Sequence, residues 1–256
     1  MKNKCWVVKI GSALLTNNGK GIDKGLISQW VEQIVDLQSN QIDVVLVSSG
    51  SIVEGMKRLG WKDKPSDIHK LQAAAAVGQM GLVQAYEYLF AKHNVQTAQV
   101  LLTRDNLLNS KHFDNISATL ANLLKFGTVP VINENDTVAT EEIKFGDNDT
   151  LAALVANFLG AEKLIILTDQ HGVFDDDPRN NTEVNLIKKI HFNDDKLERV
   201  AGKKAGNLGS GGMYSKVMAA KQAAQSQTIS NIAWGREKEV LTRIYKGESI
   251  GTLIHC

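Results

Sequence analysis

A chain of 256 residues with 43% hydrophobic and 22% charged side chains can bury a substantial core, which excludes an intrinsically disordered protein. The formal net charge of +1 gives no bulk field for a nucleic-acid partner, so any anion site must be local. Cys5 and Cys256 show no CxxC spacing, and the apolar run behind Lys2 and Lys4 is too short for a signal or membrane segment. We therefore expect a reduced, cytoplasmic protein without a membrane partner.

Short apolar runs alternate with helical repeats along the chain. Strands are predicted at residues 5–10, 43–47, 97–102, 129–133 and 163–167, and helices at residues 26–37, 67–92, 116–124 and 151–159. Further on we expect a strand near 187–192, helices at 194–200 and 217–224, a strand at 228–233, a helix from Glu237 and a strand from Gly251. Pro130 favours an edge strand or the start of its strand.

This alternation predicts parallel βαβ units, and therefore an α/β fold in which helices sandwich an open, mainly parallel sheet. No linker or change of composition divides the chain, so we expect a single domain over residues 1–256.

Ligands bind such sheets at the carboxyl ends of the strands. Lys9 lies near the end of the first strand, just before Gly11, and the pattern alone leaves it facing either solvent at an edge or a functional crevice. The segment 48–51 (SSGS) follows the second strand. Its backbone N–H groups suit an anion, although a simple helix cap explains the same residues.

Two clusters of short polar side chains flank a predicted hairpin. Residues 133–137 (NENDT) end one strand, and residues 145–150 (FGDNDT) open the next helix. One such cluster is usually turn and capping chemistry, whereas two around one hairpin are harder to explain by turns and caps alone. The spacing lacks the bidentate glutamate of an EF-hand, and the six histidines show no paired metal spacing. We therefore assign no side chain as a metal ligand.

The glycine-rich stretch 209–216 (GSGGMYSK) runs into an alanine-rich helical pattern. Turn glycines, a helix N-terminus and a lysine one turn later are typical of a phosphate site, although a purely structural turn is the alternative. The stretch matches neither a P-loop nor the dinucleotide fingerprint, because Gly212 is followed by Met213 and Tyr214 stands where the final glycine belongs.

Together these segments resemble the amino acid kinase family over nearly the whole chain. The resemblance lies in residues 7–12, 47–50, 73–79, 129–138, 145–151, 167–169 and 209–216. Segments 75–79 and 133–138 are most similar to the branch that phosphorylates the γ-carboxylate of L-glutamate with ATP, the first step of proline biosynthesis. Small departures are Ser210, where threonine is frequent, and Val173-Phe174, where Leu-Tyr is. An N-acetylglutamate or carbamate kinase, and a non-catalytic amino-acid sensor, are the alternatives within this fold.

The resemblance also implies roles for individual residues. Its implied catalytic residues are Lys9, Lys216 and Asp149, with the two lysines meeting across the transferred group and the carboxylate organising them. Its implied glutamate-binding residues are Ser49, Gly50, Asp136 and Asn148. Its implied nucleotide contacts are Lys9, Gly11, Thr168, Asp169, Ser210, Gly211, Gly212, Met213 and Lys216. Mg²⁺ would bridge the ATP phosphates largely through water and phosphate oxygens.

The family further implies an acceptor-binding part at about residues 1–160 and a nucleotide-binding part at about 161–256. It implies a homo-oligomer, which the alanine run 73–76 also suits, and proline as a possible feedback inhibitor. Many members carry a C-terminal PUA domain, and this sequence stops at Cys256, where the kinase fold would end, so we expect no PUA domain. No basic stripe or aromatic platform indicates a nucleic-acid partner.

Overall fold

The computed structural model describes residues 4–17, 21–108, 110–139, 148–178, 181, 183–202 and 212–256. Within them one sheet contains β1 (Lys4–Ile10), β2 (Ile42–Val47), β3 (Thr97–Leu102), β4 (Val129–Glu134), β5 (Lys163–Thr168), β6 (Lys189–His191), β7 (Ile229–Trp234) and β8 (Thr252–His255). The strand order is β3-β4-β2-β1-β5-β7-β8-β6. Neighbours are parallel except β7 and β8, which are antiparallel. The predicted open, mainly parallel sheet is confirmed.

The helices are α1 (Ser12–Leu15), α2 (Lys24–Ser39), α3 (Ser51–Arg58), α4 (Ile68–Ala91), α5 (Arg104–Leu108), α6 (Ser110–Lys125), α7 (Asn148–Leu159), α8 (Asp195–Val200), α9 (Met213–Ala224) and α10 (Val240–Tyr245). The prediction missed α1, α3 and α5, because helices of one or two turns show too little apolar periodicity. It also began α10 too early: Glu239 has a left-handed φ of 53°, and the helix starts only after it. No helix among the described residues is long and apolar enough to span a membrane.

The central strand β1 shows how the sheet divides the core into two layers. Val8 packs on one face among side chains of α2, α4 and α10, whereas Val7 packs on the other face among side chains of α6, α7 and α9. Because strand side chains alternate between faces, Lys9 points to the same side as Val7. β1 lies between β2 and β5, so Lys9 faces the interior at α7 rather than solvent at an edge.

Pro130 lies in β4, which pairs with both β2 and β3 and is therefore not an edge strand. The edge alternative was wrong. Pairing of β4 with β2 begins at Val131, one residue later, so the missing N–H of the proline falls at the start of the strand, as the other alternative predicted.

Helices α3 and α4 pack closer together than ordinary side chains allow. A Cβ atom on Gly78 would lie 1.8 Å from the carbonyl oxygen of Ser51, and one on Gly55 would lie 1.7 Å from that of Ala74. Both obstacles are backbone atoms, which cannot rotate aside. The first turn of α3, directly after β2, is therefore held against the middle of α4.

Candidate active site

The packing of α7 on α9 brings two charged side chains together. Each helix presents a stripe of buried alanines, namely Ala152, Ala153 and Ala156 on α7 and Ala219, Ala220 and Ala223 on α9. Small side chains let the two helices approach closely, and Asn157 Nδ2 donates to the carbonyl oxygen of Gln222 at 2.9 Å across the contact. Asp149 continues the first stripe by one turn and Lys216 continues the second. Burying the alanines therefore also juxtaposes Asp149 and Lys216.

Asp149 joins two lysines from different parts of the fold. Its Oδ1 lies 2.5 Å from Lys9 Nζ, and its Oδ2 lies 3.2 Å from Lys216 Nζ. Ser215 Oγ also donates to Oδ2, at 2.8 Å. The three charged residues are only 3%, 0% and 5% exposed for Lys9, Asp149 and Lys216. Because each carboxylate oxygen holds a different ammonium group, Asp149 sets the position of one lysine relative to the other.

This arrangement suits phosphoryl transfer. Negative charge spreads over the oxygens of a phosphoryl group during transfer, and two ammonium groups held in place at the end of a central strand neutralise it without rearrangement. The structure brings together all three residues that were predicted to be catalytic.

A second polar cluster lies at the ends of β2 and β4. Asn148 Nδ2 contacts the Ser48 carbonyl oxygen at 2.5 Å, Asn133 Oδ1 at 2.7 Å and Ser49 Oγ at 3.3 Å. Asn133 Nδ2 in turn donates to Gln79 Oε1 at 2.6 Å. These five residues are buried. They link two strand ends to α4 and α7, next to the Asp149 ion pairs.

Asp136 follows β4 and contacts the first residue of α3, where Ser51 Oγ donates to Asp136 Oδ2 at 2.9 Å. Burial raises the pKa of the Asp136 carboxyl to about 6, and the hydrogen bond from Ser51 partly opposes the shift. Gly50 caps α3 with a φ of 92°, a conformation that side chains disfavour, and a Cβ there would lie 3.0 Å from Thr16 Cγ2. The structure therefore places Ser49, Gly50, Asp136 and Asn148, the predicted glutamate-binding residues, around the β2–α3 junction.

The predicted nucleotide contacts are described only in part. Thr168 is buried at the end of β5, and its Oγ1 donates to Oδ1 of the exposed Asp169 at 3.1 Å. Gly212 is the N-cap of α9 and Met213 is its first residue. Ser210 and Gly211 lie outside the described residues, as does the predicted hairpin around residues 140–147.

Gly11 is one of the implied nucleotide contacts, and its backbone N–H is the donor that it could offer to a phosphate. That N–H donates instead to the carbonyl oxygen of Leu167, at 3.2 Å. The donor is therefore engaged between the ends of β1 and β5. For Mg²⁺, the described part of the chain contains no group of three or more His, Cys, Asp or Glu side chains placed to hold a metal ion.

Four polar residues of the site were not assigned roles from the sequence, among them Tyr86, whose hydroxyl shares a hydrogen bond with Ser48 Oγ at 3.2 Å. Gln79 and Tyr86 fall on the buried face of α4 together with Leu82, and a polar side chain at a helix core position was the signal available. Asn133 belonged to a recognised cluster, but its spacing did not single it out. Ser215 had no signal beyond its place beside Lys216.

Comparisons with known proteins identify the family. The model of the amino acid kinase family matches residues 4–232. The protein named glutamate 5-kinase of Hydrogenovibrio crunogenus is 56% identical over 253 residues, which are 99% of this chain and 67% of that protein. The glutamate 5-kinase of Alcanivorax borkumensis is 57% identical over 249 residues, 97% of this chain and 66% of that protein. This chain thus spans about two thirds of the length of these relatives.

The solved structure of a UMP kinase from Bacillus anthracis superimposes with a TM-score of 0.69, covering 100% of this chain and 97% of that one. The sequence identity is 14%, so this similarity supports the fold alone.

Proposed function

This chain belongs to the amino acid kinase family, and from that premise we propose that it transfers the γ-phosphoryl group of ATP to the γ-carboxylate of L-glutamate. The product is γ-glutamyl phosphate, for the first step of proline biosynthesis. The observation that carries the proposal is the buried Lys9–Asp149–Lys216 arrangement, which gathers two cations at the end of β1. The names of the relatives supply the choice of glutamate as acceptor.

The acceptor needs no general base. A γ-carboxylate has an ordinary pKa of about 4.3, so it is ionised near neutral pH and is already a nucleophile. One of its oxygens attacks the γ-phosphorus, and the bond from that phosphorus to the oxygen bridging to the β-phosphate breaks, leaving ADP. The demands on the protein are alignment and charge neutralisation.

The two lysines meet the charge of the transferred group from opposite sides. Lys9 reaches it from the acceptor side on β1, and Lys216 from the nucleotide side on α9. Asp149 does not touch the reacting oxygens. It holds both ammonium groups in place by the 2.5 Å and 3.2 Å contacts and favours their charged forms.

The acceptor side recognises the amino-acid end of the substrate. The α-ammonium group needs hydrogen-bond acceptors, and Asp136, Asn148 and Ser49 supply a carboxylate, an amide carbonyl and a hydroxyl around the β2–α3 junction. Above its pKa of about 6 the Asp136 carboxylate also supplies the opposite charge.

On the other side, Thr168, Asp169 and the start of α9 hold the nucleotide, together with Ser210 and Gly211. Mg²⁺ bound to ATP would neutralise phosphate charge. Among the described residues, no group of three or more His, Cys, Asp or Glu side chains is placed to bind it. The division into an acceptor part at about residues 1–160 and a nucleotide part at about 161–256 belongs to the same proposal. The proposal also includes a homo-oligomer and inhibition by proline at the glutamate site. It places the protein in the cytoplasm, a reducing compartment that suits two free cysteines.

The proposal is tested with the purified chain, MgATP and a panel of acceptors. We expect ADP release with L-glutamate, and little or none with N-acetylglutamate, aspartate or carbamate. Hydroxylamine should trap the acyl phosphate as a hydroxamate, which separates transfer to a carboxylate from simple ATP hydrolysis. Adding proline tests inhibition in the same assay. ADP release that is independent of glutamate, without hydroxamate, refutes the proposed function.

A further inference from the structure

The buried side chain of Gln79 has no role in the chemistry proposed above, yet it closes the polar cluster beneath the acceptor side. It lies on α4 next to Gly78, whose contact with the Ser51 carbonyl oxygen fixes this part of the helix against α3. Its Oε1 accepts from Asn133 Nδ2 at 2.6 Å. Its Nε2 is buried and has no hydrogen-bond partner among the described residues. A polar side chain that leaves its donor unsatisfied needs a reason to be there.

Backbone groups at two points fix the direction of this chain of amides. The N–H of Glu134 donates to Asn133 Oδ1 at 2.9 Å, so the oxygen of that amide is assigned by a group that is only a donor. The Ser48 carbonyl oxygen, which is only an acceptor, receives Asn148 Nδ2. Asn133 must therefore direct its Nδ2 towards Gln79, and Gln79 must accept this hydrogen bond with its Oε1.

The same assignment explains the unsatisfied nitrogen. With Oε1 turned to Asn133, Gln79 Nε2 is left where no described group accepts from it. An apolar residue at position 79 would remove that donor but would leave Asn133 Nδ2 buried without an acceptor. The glutamine is thus needed for its oxygen.

The consequence for the site runs through Asn148. While Asn133 Oδ1 and the Ser48 carbonyl oxygen hold Asn148 Nδ2, the Oδ1 of Asn148 is directed away from them, and no described residue donates to it. An oxygen in that place accepts from an ammonium group. If Asn133 turned to find another acceptor, Asn148 would lose this partner, and its amide would be able to turn an N–H group towards the ammonium instead.

We infer that Gln79 is a positioning residue for the amino-acid end of the acceptor, because it holds Asn133, and through it Asn148, with the amide oxygen of Asn148 presented to an α-ammonium group. The inference rests on the proposed function, since it takes an α-amino acid as the acceptor. It concerns recognition of that acceptor and leaves the phosphoryl-transfer groups as they are.

The test compares three variants of the full chain by steady-state kinetics. Gln79→Met keeps the length of the side chain and removes the acceptor, so we expect the KM for glutamate to rise about tenfold, while kcat and the KM for ATP stay within about twofold. Gln79→Glu keeps an oxygen for Asn133 in either protonation state and should restore most of the affinity. Gln79→Ala replaces Gln79→Met if the latter does not fold.

The matched control is Gln33→Met. Gln33 is a glutamine of similar burial, 8% exposed against 7% for Gln79, and its Oε1 accepts from the N–H of Leu241 at 2.8 Å in another part of the molecule. Its loss should lower the unfolding temperature without changing the KM for glutamate. A lower unfolding temperature alone is therefore not evidence for positioning.

The outcomes separate the two proposals. If wild type phosphorylates glutamate and Gln79→Met leaves its KM unchanged, or if Gln79→Glu is impaired as strongly as Gln79→Met, the role of Gln79 is refuted and the proposed function stands. If the KM for ATP rises as much as that for glutamate, positioning of the acceptor is likewise refuted. If wild type shows no turnover of glutamate, both proposals fall.

Discussion

Replacing Asp149 by asparagine changes the charge at the centre of the site and almost nothing else about its shape. An asparagine amide has one oxygen and one NH₂ group, so it accepts from only one of the two lysines and turns N–H donors towards the other. Asp149 is 0% exposed, and water does not compensate for the loss. One ammonium group, of either Lys9 or Lys216, then loses its anionic partner and is displaced.

The magnitude follows from the burial of the ion pairs. Breaking a buried pair by removing one partner costs about 3–5 kcal/mol. One factor of ten in rate corresponds to about 1.4 kcal/mol, and part of the cost falls on the stability of the fold. We therefore expect kcat to fall about 10²- to 10³-fold. The KM values should change by less than about fivefold, because Asp149 acts on charge that develops during transfer.

The assay is glutamate-dependent ADP release under saturating substrates, with circular dichroism to confirm that the variant is folded. Asp36→Asn is the control for charge, since Asp36 is an exposed aspartate on α2. It should keep wild-type kinetics. A folded Asp149→Asn protein whose kcat stays within threefold of wild type would show that the carboxylate does not organise the lysines.

Four further predictions concern the acceptor side. Because the pKa of Asp136 is about 6, the KM for glutamate should rise as the pH falls through 6. In Asp136→Asn the KM for glutamate should be high at every pH. If the KM of both proteins responds to pH in the same way, Asp136 is not the group that titrates. Because that pKa lies above the ordinary 3.8, the folded state binds the proton more tightly than the unfolded state does. The contribution of Asp136 to the free energy of unfolding should therefore decline as the pH rises from about 4 to 6. Thermal melts of wild type and Asp136→Asn across this pH range measure the decline. Gly78→Ala places a Cβ against the backbone of α3 and should lower the free energy of unfolding, measured in urea, by about 3 kcal/mol. As the control, Gly25→Ala in α2 meets only an ordinary contact and should be neutral or stabilising. If Gly78→Ala unfolds at the same urea concentration as Gly25→Ala, the clash is excluded. In Gly50→Ala the alanine must adopt a left-handed φ, which should lower the free energy of unfolding by about 1–2 kcal/mol and raise the KM for glutamate. An unchanged KM and unchanged stability would argue against a strained cap.

The sheet was predictable because strand signals are local. Runs such as Asp43 to Val47 are continuous and rich in β-branched residues, and their alternation with helices predicts parallel pairing. The position of Lys9 was not predictable from its own strand, because only the neighbours β2 and β5 show that the strand is central.

The site depended on contacts between residues that are distant in the sequence. Spacing alone does not bring Lys9, Asp149 and Lys216 together, and their assignment came from the family resemblance. The Gln79–Asn133 hydrogen bond left no trace except a polar residue on the buried face of α4. Such a pair becomes visible only when the ends of β4 and the middle of α4 are placed side by side.

The position of β8 in the sheet has a consequence for the order in which the protein can fold during synthesis. Among the strands of the described residues, β6 pairs only with β8, which lies between it and β7. Until residues 252–255 have left the ribosome, none of the described strands lies beside β6, and the side of β7 that β8 will cover stays open. The other strands can pair in the growing chain, but this part of the sheet must wait and then close in one late step. A chain shortened before Thr252 would therefore expose the hydrogen-bonding groups of β6 and β7 together.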